Sequence, residues 1–326
     1  MTNQPKIAVI GAGLAGVSLS KNLADFADIT LFEKSRGSGG RMSFRRAGPF
    51  SFDHGAQFFT ARSEPFRSAI NDALDAKAIV EWAPKIVNLE IGEKPFKREW
   101  FEPHYCGLNG MNSLVKHIAA ELNILQGTQI RRLEMKPGGW FLIDENEQSI
   151  GPYDWVVSAV PAPQAVDLLP NTLVEKNKIG EGNFSGCFAM MLGFEKPVSL
   201  NFQAAAITHP VLAWLSNHDS SSLLIHSRND WASDHIDADL EWVKSMMNDA
   251  LRELLPEIAN EATHQDLHRW RYARCEQALG RDYCLDSHDQ IAAIGDWCRG
   301  NRVEDAYLSG YELAQELKVQ LRQSAW

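Results

Sequence analysis

The residues best placed to do chemistry stand near the start of the chain. Gly11-Ala12-Gly13-Leu14-Ala15-Gly16 directly follows the apolar run Lys6–Ile10. Three glycines at this spacing permit a tight turn, close backbone approach to a pyrophosphate, and close packing of helix on strand. The helix that opens there offers free N–H groups and its positive dipole end to phosphates. Glu33 stands about 20 residues on, where a carboxylate accepts from the hydroxyls of an adenosine ribose. Lys34 and Ser35 follow it. These residues predict a dinucleotide site on a β-α-β unit.

The elements that must hold this site are legible around it. Residues 6–10 predict a buried strand, 14–26 a helix and 29–32 a second strand, the length a β-α-β unit should have. Further on, 110–122 predicts a helix, and 129–133 and 140–143 two strands joined by a Lys-Pro-Gly-Gly turn. Residues 155–160 and 291–294 predict two more buried strands. Residues 238–255 and 303–321 predict amphipathic helices. The fold class that follows is α/β: a Rossmann-type domain carrying an inserted mixed α+β region. The nucleotide-type signals fall at 1–60, 108–162 and 286–326. The ranges 61–107 and 163–285 are left for a substrate region.

Composition narrows the function. The 326 residues carry a net charge of -10, with a pI near 5.5. That balance argues against nucleic acid and anionic membranes as partners, since both need a basic face. No apolar stretch is long enough to span a bilayer. Five cysteines, with no Cys-x-x-Cys pair, suit a reducing cytoplasm and predict neither a disulfide framework nor a metal site.

A second glycine-rich loop, Arg36-Gly37-Ser38-Gly39-Gly40-Arg41-Met42, comes just after Glu33. Such a loop can wrap the far side of a pyrophosphate, with Arg41 as a charge-assisted donor. A simple nicotinamide domain is not expected to have it, so it favours FAD, held non-covalently. From here the sequence resembles the flavin amine oxidase superfamily, and within it most closely the renalase-like branch. The resemblance rests on Gly40-Arg41-Met42, on residues 52–62 (Phe-Asp-His-Gly-Ala-Gln-Phe-Phe-Thr-Ala-Arg), on His268-Arg269-Trp270-Arg271-Tyr272-Ala273, and on Gly295-Asp296-Trp297-Cys298 with residues 302–310.

The resemblance implies an FAD-dependent oxidase whose cofactor contacts extend through His54, Gly55, Ala56, Gln57 and Phe58 beside the isoalloxazine. It also implies contacts from Asp296 near the ribityl chain or phosphates, and from Arg302, Val303 and Ala306 where the last helix opens toward the flavin. Ile130 would meet the adenine, and Ala159 would close the nucleotide end. For the substrate it implies a dihydronicotinamide dinucleotide, the 1,2- or 1,6-dihydro isomer of NAD(P), with O2 as second substrate and hydrogen peroxide as product. That chemistry needs a flat pocket more than a base. Trp270, Arg271 and Tyr272 are the candidates for it, with Gln57 and Trp231 behind. His226 and His268 read as structural, and Cys298 as a buried thiol. An amine or another small molecule is the alternative substrate.

Overall fold

A computed structural model describes residues 4–99, 101–171 and 176–323, except the side chain of His218. The outer ends of the ranges 1–60 and 286–326 lie outside the described residues. Lys6–Ile10 sits mid-sheet, paired in parallel with Asp28–Glu33 on one side and Trp155–Ser158 on the other. The six-stranded order is Cys284–Asp286, Ile291–Ala293, Trp155–Ser158, Lys6–Ile10, Asp28–Glu33, Asn123–Gln126, with only the Cys284 edge strand antiparallel. Ile7, Ala8 and Val9 are fully buried. A strand covered on both faces needs such an unbroken apolar run. Helix Leu14–Leu23 covers one face and packs against Val303–Gln323. Gly310 makes that contact possible, since a Cβ there would run into the Ala15 carbonyl oxygen.

The second body is a seven-stranded sheet in the order His264–Gln277, Asn183–Gly193, Ser222–Ser227, Leu212–Asp219, Ala204–Thr208, Ile86–Glu90, Phe96–Lys97. Its two faces have different fates, because successive side chains alternate sides. Phe188, Met190, Leu192, Leu223 and Ile225 point to helices Asn229–Asp234, Leu240–Leu254 and Pro256–Ala259. Ala189, Met191 and Leu224 point the other way, toward Phe50 and Phe52 and the first body.

The expected division of the chain shifts at two places. Helix Glu64–Asp75 and strand Ile79–Glu81 bury Phe66, Ile70, Ala73 and Ile79 in the first core, so they do not belong with the substrate region. Strand Cys284–Asp286 completes the first sheet rather than ending the second body. Both segments are apolar on the side that meets the Rossmann core, and burial there outweighs their closeness in sequence to the insertion.

Candidate active site

One cavity of about 1210 Å³ runs from the carboxyl ends of the first sheet to the inner face of the second. Ligands in open α/β sheets bind at this end, where strand order reverses about Lys6–Ile10. The nucleotide end is built first from local chain, to which distant segments are added. Gly11 takes φ +109° and donates its N–H to the Phe32 carbonyl at 2.8 Å. A Cβ at Gly16 would run into the Gly11 carbonyl oxygen, so glycine alone lets the helix start this close to the turn. Ala12 N–H donates to Glu33 Oε2 at 2.9 Å, and Ser35 N–H donates to Oε1 at 2.8 Å. Glu33 is thus buried, locked and pointed, with its remaining lone pairs free for ribose hydroxyls.

Gly11, Gly13, Leu14, Ala15, Glu33, Lys34, Ser35, Gly40, Arg41 and Met42 all line the cavity, while Ala12 and Gly16 pack beneath it. Ile130, Ala159, Gly295, Asp296, Arg302, Val303 and Ala306 line it too. Arg41 and Asp296 meet each other in a two-pronged pair, at 2.8 and 2.5 Å. Burial alone would lower the Arg41 pKa, but the Asp296 charge and hydrogen bonds more than offset it and the net shift is upward. The pair therefore enters the site as one neutral, rigid unit. These features fit an FAD: an open glycine cradle, a fixed carboxylate, and the N-terminus of a 21-residue helix at Val303.

At the other end the lining is flat and aromatic. Strand register places Trp214 opposite His226, His226 opposite Ala189, and Ala189 opposite His268. Directly paired residues share a face, so the four form a row across four strands. Ala189 is the gap in that row, small and fully buried between two imidazoles. Trp270 stands two residues from His268 on the same face and donates Nε1–H to the His54 carbonyl at 2.8 Å. His226 Nε2 approaches that carbonyl at 3.3 Å. His54 also lines the cavity, stacked on Trp270 at 5.1 Å and edge-on to His268 at 4.9 Å. Burial pushes His54 and His226 down to about 4, and for His54 the neighbouring His268 and Arg45 charges add to it. His268 is lowered also, by burial and then Arg45. At neutral pH this wall carries no imidazolium.

Several expected site residues lie elsewhere. Gln57 is buried, donates to the Asp53 and Gly55 carbonyls, and accepts from the Ser216 hydroxyl. It pins the loop that carries Gly55 and does not face the cavity. Gly55 and Ala56 do line it, whereas Phe58 packs against Trp82, His104 and Trp214. Trp231 stands on the helix side of the second sheet, against Phe188, His235 and Trp242. Alternation also splits the Trp270-Arg271-Tyr272 run. All three line the cavity, but the Arg271 guanidinium is turned to Asp237, with which it pairs at 2.7 Å.

Trp214 is not singled out by the sequence, where His226 and His268 read as structural. All three line the cavity. The alternation from His268 to Tyr272 is visible in the sequence; the Trp214–His226 pairing depends on register and is not. Cys298 is fully buried, and burial raises its thiol pKa. Among the described residues no cluster of metal-binding side chains occurs, and no helix is long and apolar enough to cross a membrane.

Comparison with known proteins agrees with this geometry. Residues 9–73 match the model of the NAD(P)-binding Rossmann-like domain, and residues 90–318 match that of the flavin containing amine oxidoreductases. Among solved structures, a candidate protoporphyrinogen oxidase from Exiguobacterium sp. 255-15 superposes with a TM-score of 0.76 at 12% identity, covering 98% of this chain and 100% of its own. Putrescine oxidase bound to putrescine superposes with a TM-score of 0.70 at 12% identity, covering 97% and 99%. These two likenesses carry the fold, and the family match over residues 90–318 carries the membership. The chain belongs to the flavin containing amine oxidoreductases, and it is an FAD-dependent oxidoreductase.

Proposed function

We propose that this enzyme oxidises 1,2- and 1,6-dihydro isomers of NAD(P) to NAD(P)+, with O2 as the final acceptor and hydrogen peroxide as product. The observation that carries the reading is the wall formed by Trp214, His226, His268 and Trp270, which is flat and held uncharged by burial. FAD, when bound, supplies the hydride acceptor and passes the electrons on to O2.

A dihydronicotinamide suits such a wall. Its ring nitrogen pushes the hydride out and the product is aromatic, so no base has to remove a proton. The chain's task is to hold one flat ring over another, and positioning of that kind is worth several kcal/mol. Indole and imidazole faces do so through stacking, at about 0.5–1.5 kcal/mol per aromatic pair. A cationic amine would gain less from an uncharged imidazole wall than from a carboxylate. At the rim, Arg274 and Arg131 line the cavity and suit the phosphates of a dinucleotide.

The test is direct. Borohydride-treated NAD, which contains both isomers, is added anaerobically to the yellow holoenzyme. Rapid bleaching, then recovery of the spectrum with peroxide on admitting air, is the expected result. A spectrum that stays oxidised with these isomers and bleaches with an amine would replace this reading by amine oxidation.

A further inference from the structure

A substrate that gives up a hydride and leaves as a pyridinium cation delivers two electrons and one hydrogen nucleus. Dioxygen needs two electrons and two protons to become hydrogen peroxide. Each turnover therefore takes one further proton from outside the substrate: dihydronicotinamide, O2 and H+ become nicotinamide cation and H2O2. An amine leaving as a neutral imine would bring that proton itself. The need rests on the hydride reading above.

The cross-strand row holds groups that can meet it. His226 has one ring nitrogen at the His54 carbonyl, 3.3 Å away, whereas among the described residues the His268 ring makes ring contacts and no hydrogen bond to protein. Ala189, between them in the row, carries only a methyl group and puts no polar group between the two imidazoles. Two residues from His268, on the same face, stands Asp266, 31% exposed and paired with Arg45 at 2.5 Å. The strand thus leads from a solvated carboxylate to an imidazole on the cavity wall.

We propose that His268 donates the proton consumed in the reduction of O2, and that Asp266 at the surface refills it from solvent. The charged and titratable groups facing His268 are His54, His226, Asp266 and Arg45. Burial and Arg45 keep its ring neutral while the site is uncharged, and Asp266 opposes them. Hydride transfer makes a cation and an anion together; once the pyridinium has left, net negative charge remains in the cavity, and a nearby anion favours the imidazolium. His268 then takes a proton when one is needed, gives it to the reduced oxygen, and is neutral again.

The test needs no organic substrate. Holoenzyme reduced by dithionite is mixed with O2 in a stopped-flow instrument between pH 6 and 9. H268Q should reoxidise at least about tenfold more slowly at pH 8 and be partly rescued by added imidazole, within the range for a general acid. H288Q, which changes a fully exposed histidine outside the cavity, should reoxidise as the native enzyme does. Independently, the His268 ring resonances followed by NMR should titrate at higher pH in reduced than in oxidised holoenzyme. This arm stands even if H268Q does not fold. Native reoxidation rate and pH profile in H268Q, or a His268 titration blind to reduction, would overturn the proposal. Slow reoxidation of H268Q in a protein that dihydronicotinamides do not bleach would keep the proton donor and discard the substrate reading.

Discussion

The nucleotide end of the cavity takes its largest share from residues 10–42, a β-α-β unit and the glycine-rich loop after it. The ring end draws its wall from four strands that begin at residues 183, 212, 222 and 264. In the first, backbone does the binding work: glycines, N–H groups and one carboxylate locked by two of them. In the second, side chains do it, and each is aimed by its register with a neighbouring strand. The two ends should therefore break in different ways. The nucleotide end should fail when a single Cβ is added, and the ring end when a face is changed.

The largest effect is expected at Gly16. A side chain there meets the Gly11 carbonyl oxygen head-on, with Val9 and the Ala159 Cβ both at 3.2 Å. None of these can move without opening the first sheet. Gly16→Val should yield protein without flavin and a lowered melting temperature, at or above the ~1–3 kcal/mol typical of overpacking. Visible absorbance and a thermal melt on the same preparation check it. A yellow protein with native melting would mean that the helix does not start where the contact requires.

At the ring end the expected loss is kinetic. Trp214→Leu removes a flat face and leaves Glu33, the glycines and the Arg41–Asp296 pair alone. It should keep its flavin and lose roughly tenfold to a hundredfold in kcat/KM, about 1.4–2.7 kcal/mol of transition-state binding. Loss of flavin with unchanged kcat/KM in the loaded fraction would place Trp214 with the nucleotide end instead.

These contrasts also explain what can be read from the chain. Local chemistry reads well, so the strand, turn, helix and acid at residues 6–33 agree with the structure to within a few residues. The helix expected over 14–26 stops earlier because Phe26 and Ala27 turn back to the Leu23 carbonyl. Parity reads partly: the alternation at 268–272 is enough to separate Arg271 from Trp270 and Tyr272. Register between distant strands does not read at all, so Trp231 looks as suitable as Trp214 although a whole sheet lies between their environments. Gln57 looks like a polar group aimed at a ligand. Its bonds to the Asp53 and Gly55 carbonyls are local, but its bond from Ser216 depends on a strand nearly 160 residues away.

Acid should find the ring end before the nucleotide end. His54 and His226 titrate near 4 in the folded protein, by burial, against about 6.5 in an unfolded chain. Their folded pKa values are depressed, so the unfolded state binds more protons between these limits. The stability they permit is complete above pH 6.5 and lost as pH falls toward 4. Asp53, pushed up to about 6 by burial against the Met111 hydrogen bond, acts in the opposite sense, and its contribution grows as pH falls through 6. Two imidazoles outweigh one carboxylate. A net loss of about 2 kcal/mol between pH 7 and pH 5 is expected, since one proton bound more by the unfolded chain costs about 1.4 kcal/mol for each pH step. Denaturant melts should show the fall, and H226Q should flatten it. A stability that rises over this range would mean that Asp53 dominates.

The smallest effect separates the two faces of one sheet. Trp231 packs on Phe188 at 5.9 Å and is stacked with His235 and Trp242, all on the helix side. Trp231→Phe keeps a ring but loses part of that contact, a cost of roughly 1 kcal/mol. Trp231 does not itself line the cavity, and the strand it packs on, Asn183–Gly193, sends Phe188 and Ala189 to opposite faces. Flavin content, kcat and KM should therefore stay within about twofold of native, while the denaturation midpoint falls. Equal loss of kcat/KM in Trp231→Phe and Trp214→Leu would mean that the sheet transmits packing changes from face to face. The ring end would then be set by the stiffness of the second body rather than by the parity of its strands.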